Sequence, residues 1–463
     1  MIARHAGFQH QKDYGVNPEE LLEIAERIVG WGRDGEQIEA VVGHSQETDV
    51  RVYEGEIESL SVAESQGVGI RVIADNRQGF AHAGTLDPAV LEETLAEARD
   101  NAVFGSPDEF FGLAEPDGVD PPVLDLYHEA LLGFGTEAKI DLALELERAV
   151  LAGDSRIVGV ESADYGDALS ADAIATTTGI RSTGRDTSCY LTAYSLASEG
   201  EETQTGFGFS VGREPGTLDV AVAASDAVER ATRMLGAVQP PTERVTVVLD
   251  PFVTAQFLGI IGSTLSGEAV LKGRSLFADR LGDQVAAATV TLVDDPTNPE
   301  AFTASDADGE GLATRRNQLI GGGQLEQFLH NSYTGRRSGS ASTGSAVRGY
   351  ASTPGVGCQA LLLVPGDRPP DELIAGIDNG VLVQGVSGLH SGVNPVSGDF
   401  STGAEGLRIR NGELAEPVRE ITIASTLQRM LLDVAAVGSD LTWLPMSSAG
   451  VSLVVAEVTM SGA

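Results

Sequence analysis

The sequence predicts an α+β protein: an N-terminal region of antiparallel meander strands flanked by helices, followed by a larger, mixed, β-rich C-terminal domain. Three observations carry that expectation. Short β-branched runs separated by glycine and polar turns fill residues 38–83 and again 157–211. Helices bracket each set, so the order helix, several strands, helix occurs twice. Past Gln239-Pro240-Pro241 the pattern turns to strands and hairpins mixed with short helices. At 463 residues the chain exceeds one ordinary core, and these shifts divide it at 1–115, 116–239 and 240–463.

The elements follow in order. Asn17-Pro18-Glu19-Glu20 supplies an N-cap, a first-turn proline and early acids for a helix with Leu21, Leu22, Ala25, Ile28 and Val29 inward, ending near Gly30 to Gly32. Strands are expected at Ile38–Val42, Val50–Tyr53, Ile57–Val62, Gly67–Ile73 and Gly79–Ala83, with a tight turn at Glu54-Gly55. Asp87-Pro88 opens a second helix whose stripe is Leu91, Leu95, Ala98 and Ala102, and Phe104–Pro122, rich in Gly, Pro and Asp, reads as a linker. A helix at Lys139–Leu151, strands at Ile157–Val160, Ala171–Thr177, Thr187–Ala197 and Thr203–Val211, and a helix at Leu218–Leu235 come next. No residue-level repeat accompanies the shared layout.

In the last region a β-branched run, Val245 to Leu249, ends at Asp250-Pro251, which starts a helix. Phe252, Gln256, Gly259 and Ser263 follow along one side of it, while Phe257, Leu258, Ile260, Ile261 and Leu265 supply apolar bulk. Hairpins are expected between Ala313 and Leu329 around Gly321-Gly322-Gly323 and at Asn411-Gly412. Pro369-Pro370 opens a short helix, and the chain closes with a helix at Leu427–Val437 and a strand at Val451–Val458.

Acids outnumber bases 68 to 30, a net charge of −38, which argues against nucleic-acid phosphate or anionic membrane as a main partner. Cys189 and Cys358 are too few for a disulfide framework and lack metal-ligand spacing. The N-terminus has no apolar core of signal-peptide length and no apolar run is long enough to span a bilayer, so a cytoplasmic protein is expected.

The helix after Asp250 and an ordered series of later segments carry a resemblance. LKGRSLFADRLGDQV, DDPTNP, DGEGLATR, STGSAVRGY, VNPVSGDFSTGAEGLRIRNGE and EITIASTLQRML, with YEGEIESLSVAESQGVGIRVI in the N-terminal half, resemble the TldD/PmbA (TldE) family of intracellular metallopeptidase components. The resemblance covers nearly the whole chain. In the TldD branch this helix carries HExxxH; here the matching segment is LGIIGSTLSGE, which puts Leu258 at the first His, Gly259 at the general-base Glu and Ser263 at the second His. The third ligand, a Cys just before the last strand, is matched by LPMSSAG, at Ser447 or its neighbour. Zinc needs imidazole, thiolate or carboxylate donors, and none of these residues supplies one. An i, i+5 pair is also about 140° apart on a regular helix, so the metal-holding version needs a widened turn; without a metal this helix can stay regular.

The resemblance therefore implies the PmbA/TldE branch: a subunit with no cofactor of its own, paired with a TldD-like, HExxxH-bearing zinc subunit that cuts unfolded or unstructured peptides. A homodimer in isolation is a further expectation. The family's older label, modulator of DNA gyrase, sits poorly with so acidic a chain. Two rivals remain: a stand-alone hydrolase with an unrecognised metal or serine site, and a non-enzymatic peptide-binding scaffold.

Other residues invite chemistry. Gly208-Phe209-Ser210-Val211-Gly212 matches G-x-S-x-G, but Arg213-Glu214-Pro215-Gly216 replaces the direct entry into a helix that a nucleophile elbow requires, so an ordinary strand serine is expected. Asp306 and Asp308 lie in an acidic turn able to meet a hard cation, or simply to solvate and cap. His390, Asn394 and Asp399 in the glycine-rich loop, with Arg348, are candidate substrate contacts, and His390 a candidate metal ligand. His330 ends a strand. Arg315, Arg316, Arg336, Arg337 and Arg348 form a candidate carboxylate-binding set, or balance nearby acids. His5 and His10 share the i, i+5 spacing but lack a helix signal and read as a tail.

Overall fold

The computed structural model describes residues 17–462, so His5 and His10 lie outside the described residues. Helix α1 (Pro18–Val29) starts where expected, with the Asn17 side chain accepting from Glu19 N and Leu21, Ala25 and Ile28 buried. It leads into β1 (Gln37–Tyr53), β2 (Glu56–Ala74), β3 (Arg77–Ala83) and α2 (Pro88–Phe104). The same series returns as α3 (Thr136–Gly153), β4 (Ile157–Thr176), β5 (Arg181–Glu199), β6 (Glu202–Gly212) and α4 (Val220–Thr232).

The two series share one antiparallel six-stranded sheet, ordered β3-β2-β1-β4-β5-β6, joined where β1 pairs with β4 from Glu39↔Thr176 to Val52↔Ala163. The layout is thus a two-fold one, with the two first strands at the centre. The five strands expected in the first series are three, and the four of the second are three. His44 to Asp49, polar enough to read as a break, continues β1, because partners on both sides satisfy its backbone. Alternation then sorts the faces. Ile38, Ala40, Val42, Val50 and Val52 pack against the helices. Val41, Gly43 and Ser45 line a cavity on the other face, toward the C-terminal domain.

In that domain β7 (Glu243–Leu249) feeds α5 (Pro251–Thr264), capped by the Asp250 side chain on Val253 N. A small sheet holds β8 (Leu292–Asp294), β9 (Asn317–Gly321) and β10 (Gln324–Leu325), with the expected glycine turn between the last two. After β11 (Ala346–Val347) and β12 (Gly355–Val356), β13 (Leu361–Leu363) joins β8. β14 (Asn379–Ser387), β15 (Asp399–Arg410), β16 (Glu413–Thr426), β17 (Val434–Val437) and β18 (Leu453–Ser461) complete the chain. The order is β16-β15-β14-β7-β18-β17, and β16 also pairs with β18, so the sheet curls into a barrel.

Asn411 and Gly412 turn the β15–β16 hairpin with φ of 52° and 82°, as a two-residue turn requires. The helix expected at Leu427–Val437 stops at Leu432, and Val434 to Val437 pair with β18 instead. A hydrogen-bonded ladder suits that β-branched end better than another helical turn. The main core, with Val247, Leu249, Leu258, Ile261, Phe400 and Leu453, lies between barrel and α5.

Candidate functional site

α5 is a regular α-helix from Pro251 to Thr264, without the widened turn a metal-holding i, i+5 pair would need. Leu258 is fully buried in the main core, on the side of the helix away from solvent. Gly259 and Ser263 are exposed, and the Ser263 hydroxyl donates back to Ile260 O at 2.7 Å. Of the two serines before the last strand, Ser448 lies over the helix: its hydroxyl donates to Ala255 O at 2.8 Å and sits 3.9 Å from where a Gly259 Cβ would be. Ser447 contributes its carbonyl to Leu361 N. A catalytic zinc requires three imidazole, thiolate or carboxylate ligands, and the group at these positions is a buried isobutyl, a bare backbone and hydroxyls already bonded to carbonyls. The residues do not fit the metal.

Behind α5, close packing is set by glycine: a Cβ on Gly262 would meet Cys358 Sγ and Leu361 Cδ2 at 2.8 Å. Burial pushes the Cys358 thiol well above its ordinary value, with nearby Asp294 adding to the rise. Asp294 accepts from Gln359 N and Ala360 N through one oxygen, and burial pushes its carboxyl up to about 7 despite those donors.

A second candidate region lies where the six-stranded sheet meets the barrel domain. There a cavity of about 490 Å³ is lined by Ser45, Ser65 and Asp172 from the sheet and by Asp306, Arg348 and Tyr350 from the C-terminal domain. Asp172 faces its solvent; enclosure between the lobes, then the Asp186 and Asp306 charges, push its carboxyl up to about 6. Beside the cavity is a buried ionic cluster. Glu39 and Arg71, directly opposite each other on β1 and β2, pair through two bonds at 3.0 and 2.6 Å. Arg348 donates to the same Glu39 carboxylate, and Arg71 also faces Glu310 at 3.5 Å. Glu310 accepts from Ser332 N and Oγ at 2.8 and 2.5 Å. Burial alone would raise the Glu39 pKa, but the two guanidinium groups outweigh it and hold the carboxyl below the usual range.

This cluster was missed as a unit by sequence reasoning, although a signal existed. Glu39 and Arg71 are single charges inside apolar strands, IEAVV and GIRVI. The glycines of the second run have a reason too. A Cβ on Gly69 would lie 1.9 Å from Tyr350 O and one on Gly67 would lie 2.3 Å from the Tyr350 ring, so only glycine admits the 346–350 loop onto β2.

The other candidates are scattered. Arg348 is taken by Glu39, Arg315 by Asp117, Arg316 by Asp295, Arg337 by Asp108, and Arg336 donates to the carbonyls of Phe110, Gly112 and Leu113. The arginine set therefore balances acids and closes the linker onto the barrel domain. Asp308 spends one oxygen on Glu310 N and Leu312 N and the other on Ala346 N, and burial with Glu310 nearby pushes it up to about 7. Asp306 reaches the cavity. His330 is buried against Thr334 Oγ1 at 3.2 Å, and burial lowers its pKa.

His390 is exposed on the short helix Leu389–Gly392. Asn394 and Asp399 organise their own loop, Asn394 accepting from Val396 N and Ser397 N, Asp399 from Ser397 Oγ. Ser210 sits inside β6 and accepts from Asp219 N at 2.9 Å, in a strand and not an elbow. Among the described residues no three His, Cys, Asp or Glu side chains gather as a metal-holding group, and no helix is long and apolar enough to cross a membrane.

Comparison with known proteins accounts for nearly the whole chain. The model of the PmbA/TldA metallopeptidase C-terminal domain matches residues 242–462, that of domain 1 matches 38–102, and that of the central domain matches 130–235. Metalloprotease PmbA of Escherichia coli is 27% identical over 426 residues, 91% of each chain. A metalloprotease of Methanothermobacter thermautotrophicus is 26% identical over 434 residues, 91% of this chain and 90% of the other. Among solved structures, a proposed modulator of a DNA gyrase from Thermotoga maritima superposes with a TM-score of 0.87 at 25% identity, over 95% of this chain and 99% of that one. TldE from Thermococcus kodakarensis shares the fold, with a TM-score of 0.87 at 24% identity, over 96% of this chain and 99% of that one. Three domain models in chain order, together with full-length relatives, make this chain a member of the PmbA/TldD metallopeptidase family.

Proposed function

We propose that this chain is the zinc-free, TldE/PmbA-like subunit of a cytoplasmic two-component protease, paired with an HExxxH-bearing zinc subunit that hydrolyses unfolded peptides. The observation that carries the reading is the donor set on α5: Leu258 in the core, Gly259 without a side chain, and Ser263 bonded to Ile260 O. Its relatives bear metalloprotease names, yet here no first-row metal would find ligands. The role left to this subunit is to enclose and orient the substrate; the partner's zinc supplies the Lewis acid and activated water.

Two measurements test this. Purified chain, loaded with zinc and desalted, holds well below one zinc by elemental mass spectrometry. Unfolded casein is cleaved only when an HExxxH-bearing chain from the same genome is added, and the two co-elute on gel filtration. One tightly held zinc per chain, or cleavage by this chain alone, would overturn the proposal.

A further inference from the structure

The two halves of the six-stranded sheet repeat each other, except along one edge. β2 and β5 are counterparts: each follows a central strand and each is 19 residues long. Their outer neighbours are shorter. β3 pairs only with Val68–Ala74 of β2, and β6 only with Cys189–Glu199 of β5. Each long strand therefore leaves its first part without a strand on the outer side.

The chain covers that stretch in one half and not in the other. On β5, Thr187 N donates to Leu126 O at 2.9 Å, the Arg185 guanidinium stacks 4.2 Å from the Tyr127 ring centre, and Ile180 at the strand's entry packs with Ala114 and Leu312. The segment 114–127 between the two series and a C-terminal loop thus flank this edge, with the Leu126 carbonyl bonded to it. On β2, every residue from Glu56 to Gln66 is exposed. Ile57, Leu60 and Val62 stand 49, 46 and 59% exposed, opposite Val52, Val50 and Thr48 on β1, so they extend the helix-side face of the sheet past the last covering element.

An open edge of this length with an apolar strip is a template for strand addition, and proteins usually blunt such edges with lysine, proline or a covering element. Here the flanking charges are acidic: Glu54, Glu56 and Glu58. They decide the occupant. Two copies paired along this edge would gather the Glu54, Glu56 and Glu58 carboxylates of both in a chain already at −38. We propose that the Glu56–Gln66 edge of β2 is a docking site for an extended, lysine- or arginine-bearing segment of a different polypeptide, added as a seventh strand with its apolar side chains over Ile57, Leu60 and Val62. Backbone bonds supply the affinity and the glutamates select the charge.

The probe is a short fluorescein-labelled peptide alternating lysine with valine, compared with its glutamate–valine counterpart. The lysine peptide binds at least about tenfold tighter by anisotropy and weakens with salt, and on binding it slows amide hydrogen exchange within 56–66. Two double variants, Glu56→Lys with Glu58→Lys and Leu60→Lys with Val62→Lys, each lose about tenfold or more while keeping the wild-type unfolding temperature, since all four side chains are exposed. Equal binding of both peptides, protection elsewhere in the chain, or wild-type affinity in both variants would overturn the proposal. None of these readouts depends on zinc or on a protease partner, so their failure leaves the proposed function standing.

Discussion

The solvent-facing side of α5 and the interface between sheet and barrel are opposites in how they use charge. On α5 the positions in question hold Gly259 and Ser263, with Leu258 turned into the core. At the interface, Glu39, Arg71, Glu310 and Arg348 are all buried and bonded to one another. The charges of this cluster link the two lobes, whereas α5 packs its apolar side into the main core. Buried ions are costly to strip of water, so such a cluster persists only when its charges are matched.

The largest expected effect breaks the interface. Glu39→Ala leaves Arg71 and Arg348 buried without their carboxylate and costs about 3–5 kcal/mol in denaturant unfolding. Because the folded Glu39 pKa is lowered, its contribution is complete above the unfolded value near 4.5 and is lost as pH falls through the folded one. Wild type should therefore lose stability in acid on this account, and the variant should not.

Next in size is an attempt to erase the contrast at α5. A triple variant, Leu258→His, Gly259→Glu and Ser263→His, restores the motif but places an imidazole in the core. Stability falls by about 2–4 kcal/mol, and zinc stays below one per chain. Full zinc loading without loss of stability would show that the helix readily widens.

A smaller effect lies behind the helix. Burial raises Asp294 to about 7, so the folded state holds a proton that the unfolded state releases near 3.8, and stability declines as pH climbs between those values. Asp294→Asn keeps the acceptor for Gln359 N and Ala360 N and flattens that decline by up to about 1.4 kcal/mol per pH unit. Smallest is Ser210→Ala, which removes only the acceptor for Asp219 N: about 0.5–1 kcal/mol of stability, with no fluorophosphonate labelling in either protein.

Local rules in the sequence settled much of this protein. Asn17, Asp87 and Asp250 cap helices, Asn411-Gly412 turns a hairpin, and the helix–strands–helix series occurs twice, because capping, turn φ angles and side-chain periodicity are decided within a few residues. The absence of metal donors at Leu258, Gly259 and Ser263 was equally legible, since it depends on residue identity alone. Tertiary structure decided the rest. It fused four apparent strands into two long ones, β1 and β2; in β1, pairing on both sides carries polar residues such as His44 to Asp49 through a ladder that their own propensity would break. It also assigned Arg348 to Glu39, 309 positions away, and covered the β5 edge while leaving that of β2 open. Which charges meet, and which edges stay bare, depends on contacts remote in sequence, and these exist only once the two lobes have closed on each other.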